Sequence, residues 1–189
     1  AVIFDENGNQ VASAQQEWWH KADPRFSGSM DFDVEGNWSL LSHAIRAAIA
    51  EAGIKAGDIK AVSATSMREA IVAYDRSGQE IWACANVDSR AVNEVRDLKR
   101  EFPELERELY EKSGQTFALG ALPRLLWLKR NLPEIFGRIH RISMLSDWVL
   151  ARLSGVIASE PSNAGTTGLY SLTARDWLPD AMAKAGLRE

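Results

Sequence analysis

The sequence predicts an α/β protein, with antiparallel hairpins early and helices late. Three observations carry that prediction. Residues 1–5 and 11–19 read as strands around "ENGN", a turn signal because Asn-Gly tolerates positive φ. A second strand–turn–strand reads through "REAIVAYDRSGQEIWACA". Between them, and again after residue 90, apolar residues switch to a helical period punctuated by Pro and Gly.

Taken in order, "KADPRFSGSMDFD" is a loop with Pro24 and Gly28. Leu40, Leu41, Ala44, Ile45, Ala48, Ile49 and Ala52 then share one face of a helix, with Asn37 as N-cap and Gly53 as stop. "IKAVSAT" reads as a buried strand. Val92, Val95, Leu98 and Phe102 hold a helical spacing up to Pro103, and Leu105 with Leu109 mark a short helix that Gly114 ends. Pro123 suits a first helical position, with Leu125, Leu126 and Trp127 behind it, and Pro133 opens another turn. Ser143 or Ser146 can cap a helix through Trp148, Leu150 and Leu153 that stops at Gly155. "LYSL" is strand-like, and 176–185 reads as a last helix before Gly186. The two hairpins also echo each other: "AVIFDENGNQV" and "IVAYDRSGQEI" place Asp5 against Asp75 and Gly8 against Gly78, through a repeat or by chance.

At 189 residues the chain suits one ordinary domain, and 46% hydrophobic with 25% charged residues is a globular composition. A net charge of −4 with interspersed signs gives no basic stripe for nucleic acid. No apolar run is long enough to span a bilayer. Cys84 is the only cysteine, which suits a reducing, cytoplasmic setting. The chain opens on a strand-like run without Met or a signal-peptide pattern, as expected for part of a longer protein.

No Gly-Lys-Ser/Thr phosphate loop and no Gly-x-Ser-x-Gly elbow occurs, and "SNAGTTG" lacks both the Lys and the strand-to-helix setting. His20, His43 and His140 lie far apart, without zinc spacing, and read as surface or satisfied core residues. Cys84 reads as a small buried residue, and Trp127 and Trp148 as core. The unusual feature is Arg68 beside Glu69 in "SATSMREAIVAYD". Neighbours on a strand face opposite ways, so the pair reads either as a solvated strand end or bulge, or as a polar clamp at a cleft. A guanidinium fork and a carboxylate together match the donors and acceptors of a polyol or hydroxy-ketone. In "ANVDSRA", Asn86, Asp88 and Arg90 alternate, either on one extended face beside the same cleft or in a loop capped by Asp88 or Ser89.

Taken together, "SATSMREAIVAYDRSGQEIWACANVDSRA", "ALPRLLWLKRN" and "SDWVLARLSGVIASEPSNAGTTGLYSLTARDW" resemble segments of the FGGY carbohydrate kinases, and the resemblance covers nearly the whole chain. It implies a ribonuclease H-like (actin-like ATPase) fold, a mixed sheet with early β-hairpins and flanking helices. It further implies that residues 1–189 are the N-terminal sugar-binding domain, lacking its first strand, with a C-terminal ATP-binding domain outside the chain. The implied reaction is transfer of the ATP γ-phosphoryl group, with Mg²⁺, to a sugar hydroxyl. An Arg-Glu pair at the positions of Arg68 and Glu69 holds substrate hydroxyls in the family's glycerol kinases. Asn86 replaces a tryptophan there, and Asp88 with Arg90 matches the family's Asp-x-Arg.

The implied substrate-binding set is therefore Arg68, Glu69, Asn86 and Asp88, with no metal ligand in the chain. The catalytic Asp is expected beyond Glu189 and the Asp-x-Gly-Thr phosphate motif before Ala1, so the chain alone is expected to be inactive. Arg124 stands where the helix signature has Lys, and Leu119 and Ala121 also depart from it. These departures resemble a subfamily acting on a linear dihydroxy-pentanedione. A pentulose or polyol kinase, of xylulose or glycerol type, and a non-catalytic ligand-binding domain of the same fold are the alternatives. The implied partner is a small sugar or polyol, not nucleic acid or membrane, with room for a homodimer.

Overall fold

The computed structural model describes residues 1–118, 120–184 and 186–187. They form two compact units, one of residues 1–21 and 32–63, the other of 22–31 and 64 onward.

In the first unit, β1 (Val2–Phe4) pairs antiparallel with β2 (Gln10–Ser13). The Asp5 carboxylate builds the turn, its Oδ1 accepting from the backbone N–H of Asn7 and of Asn9, both at 2.9 Å. The return strand stops at Ser13, not at 19, with Ala14 N–H still donating to the Ala1 carbonyl at 3.0 Å. Helix α1 (Val34–Ala52) buries Ala44 and Ala48 and ends at left-handed Gly53, as its spacing predicts. It starts earlier than expected. Asp33, not Asn37, is the N-cap, accepting from Gly36 N–H at 2.9 Å. Asn37 lies buried inside the first turn. "IKAVSAT" is not a buried strand. After a 3-10 turn (Ala56–Asp58), residues 59–67 join no ladder of a described strand, and Val62 is 59% exposed. Without a neighbour to satisfy its backbone groups, a β-prone run does not become a strand.

In the second unit, β3 (Ile71–Tyr74) is the middle of a three-stranded antiparallel sheet, between β4 (Glu80–Cys84) and β5 (Arg141–Met144). All four residues of β3 are buried, as a central strand requires. The Asp75 turn between β3 and β4 repeats the Asp5 turn. Asp75 Oδ1 accepts from the N–H of Ser77 and of Gln79, and Gly8 and Gly78 take φ of 82° and 85°. Both hairpins carry a bulge one step before the turn, so the sequence echo is an echo of turn geometry.

Helices α2 (Val92–Glu101), α3 (Leu105–Ser113), α4 (Ala121–Asn131) and α5 (Pro133–Arg138) follow. Leu98, Leu105, Leu109, Leu122, Leu128 and Met144 meet in the core. Pro123 sits third in α4, not first; every N–H of a helix's first turn lacks an intrahelical partner, so any of those positions tolerates Pro. Leu119, one of the departures from the family signature, lies outside the described residues.

β5 runs directly into α6 (Leu145–Ser154), which neither expected serine caps. Met144 is the cap residue, and Asp147 accepts its N–H at 3.3 Å. The Ser143 hydroxyl is taken by the Tyr74 phenol at 2.9 Å. After α7 (Pro161–Gly165), β6 (Tyr170–Ser171) pairs with β7 (Asp176–Trp177). The expected helix of 176–185 thus begins late, as α8 (Pro179–Lys184), because Trp177 is held edge-on against Tyr170 at 5.3 Å; Ala185 lies outside the described residues.

Candidate functional site

Arg68 and Glu69 are not on a strand. They form a turn just ahead of β3, and Glu69 takes the left-handed conformation at φ 67°, rare for a residue with a side chain. The turn resolves the contradiction of two adjacent charges in an apolar run, since a left-handed residue breaks strand alternation. Arg68 projects into solvent with its side chain 74% exposed, whereas that of Glu69 is only 10% exposed. The Arg68 guanidinium still comes within 3.8 Å of the Glu69 carboxylate.

The buried carboxylate is held from one side. Gln115 Nε2 donates to Glu69 Oε1 at 3.1 Å and to the Thr166 carbonyl at 3.0 Å. Glu69 Oε2 accepts no hydrogen bond from the described residues and keeps acceptor capacity, while Arg68 Nε comes nearest to the other oxygen, Oε1.

Asn86 comes to the same place through the sheet. Ile71 of β3 is paired with Cys84 of β4, so the residues before β3 and after β4 leave the sheet at one end. Asn86 is half-buried, and its side-chain amide has no partner among the described residues. From α4, Arg124 donates to the carbonyls of Glu69, Asn86 (2.9 Å) and Asp88 (3.1 Å), joining both ends of the hairpin.

Asp88 is expected to reach the sugar, and the geometry corrects this. Its side chain is 0% exposed, and its Oδ2 accepts from Met30 N–H at 2.6 Å and from Arg90 Nε at 2.7 Å. Arg90 also pairs with Asp31 and lies over the rings of Trp127 and Trp82, at 5.0 and 5.4 Å. Asp88 is consumed in holding its own loop and an enclosed cation. Burial opposes the charge of Arg90, but its hydrogen bonds to Asp88 and Asp31 keep it firmly protonated.

Cys84, the last residue of β4, is fully buried, and burial pushes its thiol up to about 12, so it has no nucleophile character. A cavity of about 1360 Å³ lies elsewhere in the unit, along Asp75, Phe136, His140, Tyr170 and Trp177, and none of the four expected sugar contacts lines it. The chemistry points instead to the Arg68–Glu69–Asn86 surface, where unsaturated polar groups converge.

Sequence reasoning missed Gln115 and saw Arg124 only as a departure from a signature. One signal was available: "MRE", "ANVD", "PRLLW" and "NAGTTG" are separated in the chain yet all lie in the segments that carry the family resemblance. In space they meet at Glu69, Asn86, Arg124 and, through Gln115, Thr166.

The profile of the FGGY family of carbohydrate kinases, N-terminal domain, matches residues 1–189. An autoinducer-2 kinase of Yersinia enterocolitica is 52% identical over 189 residues, covering 100% of this chain and 36% of that protein. The crystal structure of a ligand-bound xylulose kinase from Lactobacillus acidophilus superposes with a TM-score of 0.83 at 20% identity, over 100% of this chain and 37% of the other. A Plasmodium falciparum glycerol kinase with ADP gives 0.82 at 20% identity, over 98% of this chain and 38% of the other. These likenesses show the actin-like ATPase fold. The chain thus spans little more than a third of the length of the relatives it matches.

Proposed function

The chain belongs to the FGGY family of carbohydrate kinases, and from that premise we propose that it is the sugar-binding N-terminal domain of an ATP-dependent kinase. The acceptor we propose is the autoinducer-2 precursor, a linear dihydroxy-pentanedione, phosphorylated at a hydroxyl. The carrying observation is the pairing of a solvent-facing Arg68 with a Glu69 carboxylate that keeps one oxygen free. Such a pair donates to carbonyl and hydroxyl oxygens and accepts from hydroxyl protons, which is what a hydroxy-ketone presents. Asn86, with an uncommitted amide, adds a donor and an acceptor where a flat ring would favour a less polar substrate. The 52% identity to a protein named autoinducer-2 kinase supports this acceptor over a plain polyol.

Phosphoryl transfer depends chiefly on positioning and charge stabilisation. In this reading Arg68, Glu69 and Asn86 fix the acceptor hydroxyl, and the Arg124 contacts keep their loops in place. ATP and Mg²⁺ are the cofactors of the full-length protein, and the nucleotide supplies the phosphoryl group. Among the described residues no group of three His, Cys, Asp or Glu side chains could hold a metal ion. A cytoplasmic location goes with this reading, supported by a lone, free and buried cysteine. No helix among the described residues is long and apolar enough to cross a membrane.

The test is a coupled ATP-consumption assay on the full-length protein with dihydroxy-pentanedione, xylulose and glycerol as acceptors. The highest kcat/KM is expected for dihydroxy-pentanedione. Preference for xylulose or glycerol would replace the substrate assignment, and silence with every polyol and ketose would end the kinase reading.

A further inference from the structure

We propose that Arg124 is a positioning residue that sets acceptor specificity by clamping the backbone under the sugar-binding face. The inference rests on the reading that Glu69 contacts the acceptor. Arg124 is 3% exposed, on a helix that is buried on most of its faces. Its recorded hydrogen-bond partners are all main-chain carbonyls, those of Glu69, Asn86 and Asp88, and it makes no ion pair among the described residues. A buried cation without a carboxylate is a costly choice for stability alone. What the choice achieves is geometric. One rigid guanidinium spans the turn before β3 and the turn after β4, so the separation of Glu69 and Asn86 is fixed by a planar fork.

Glu69 is where that clamp matters most. Its left-handed backbone persists only if neighbouring contacts hold it. Arg124 holds the Glu69 carbonyl while Gln115 holds the carboxylate, so main chain and side chain are pinned from different elements. A lysine at 124 would keep the charge, but its single ammonium, a point donor on a flexible stem, cannot reproduce a fork across both turns. Charge and fork can therefore be separated by one substitution.

The experiment compares full-length wild type, Arg124→Lys and Glu69→Gln by steady-state kinetics and thermal melting. For Arg124→Lys, the acceptor KM is expected to rise about tenfold, the size of a lost charged hydrogen bond. Its KM for ATP should stay close to wild type, its melting midpoint should fall only modestly with the fold retained, and its discrimination between acceptors should weaken. An unchanged acceptor KM in Arg124→Lys, with Glu69→Gln impaired, overturns the role of Arg124 and leaves the sugar-binding reading intact. Equal damage to both KM values, or loss of the fold in Arg124→Lys, shows a core support only and also overturns it. An unaffected acceptor KM in Glu69→Gln removes the sugar-binding reading and this inference with it.

Discussion

The Arg68 guanidinium lies 3.8 Å from the Glu69 carboxylate, yet one side chain is 74% exposed and the other only 10%. At that distance and exposure the pair contributes little to folding. In the proposed reading its worth comes when an acceptor binds against both groups. Arg68→Ala in the full-length protein is therefore expected to leave the melting midpoint unchanged. It should raise the acceptor KM and cost on the order of 2–3 kcal/mol of transition-state stabilisation. An unaltered kcat/KM would reduce Arg68 to a surface residue.

Glu69 offers the complementary experiment, because its backbone and its carboxylate make opposite demands. At φ 67° glycine is the less strained residue. In Glu69→Gly the Gln115 amide keeps its bond to the Thr166 carbonyl and loses the one to Glu69, so the relief of backbone strain is set against one N–H left to water. Stability is expected to change by no more than about 1 kcal/mol in urea titrations. Calorimetric titration with the acceptor should show binding lost. Retained affinity would mean that the strained conformation serves the chain's path and not the ligand.

Much of the fold was legible because local signals agreed with the tertiary outcome. The Asn-Gly and Ser-Gly turns, the α1 spacing and the glycine stops at 53, 114 and 155 all stand. What failed was whatever depended on a partner. "IKAVSAT" has the composition of a strand but no ladder, and β5, in "RISM", gave no turn or alternation signal until β3 was beside it. At the site, the oddity of Arg68 next to Glu69 was visible, and its cause, a left-handed turn, was not. Asp88 looked like a ligand because charge in a loop looks alike whether it faces a sugar or a buried arginine. Arg124 and Gln115 act through main-chain carbonyls and a bridging amide, which no spacing rule encodes.

The burial of Asp88 makes a prediction about stability. Its carboxylate accepts from Met30 N–H and Arg90 Nε, and Arg90 is itself enclosed by Trp82 and Trp127. Asp88→Ala removes one of the two carboxylates facing that cation. A loss of about 3 kcal/mol is expected, the lower end for a broken buried pair because Asp31 remains. Chemical denaturation measures it. A midpoint like that of wild type would return Asp88 to the list of sugar contacts.

Asp75 carries the clearest pH signature. The Ser77 hydroxyl first, then the N–H groups of Ser77 and Gln79 and the Arg138 guanidinium, hold its carboxyl at about 2, below its ordinary 3.8. A group whose folded pKa lies below its unfolded one stabilises the fold fully above the unfolded value. It loses that contribution as pH falls through the folded value. The Asp75 contribution is therefore whole above pH 3.8 and fades towards pH 2. Asp75→Asn still accepts from the turn's backbone N–H groups but cannot titrate. The stability gap between wild type and Asp75→Asn should accordingly be constant at neutral pH and close as the solution is acidified. Urea midpoints taken across that acid range would show it. A gap of equal width throughout would mean that the turn draws on the shape of the side chain alone, and that its charge adds nothing to the β3–β4 hairpin.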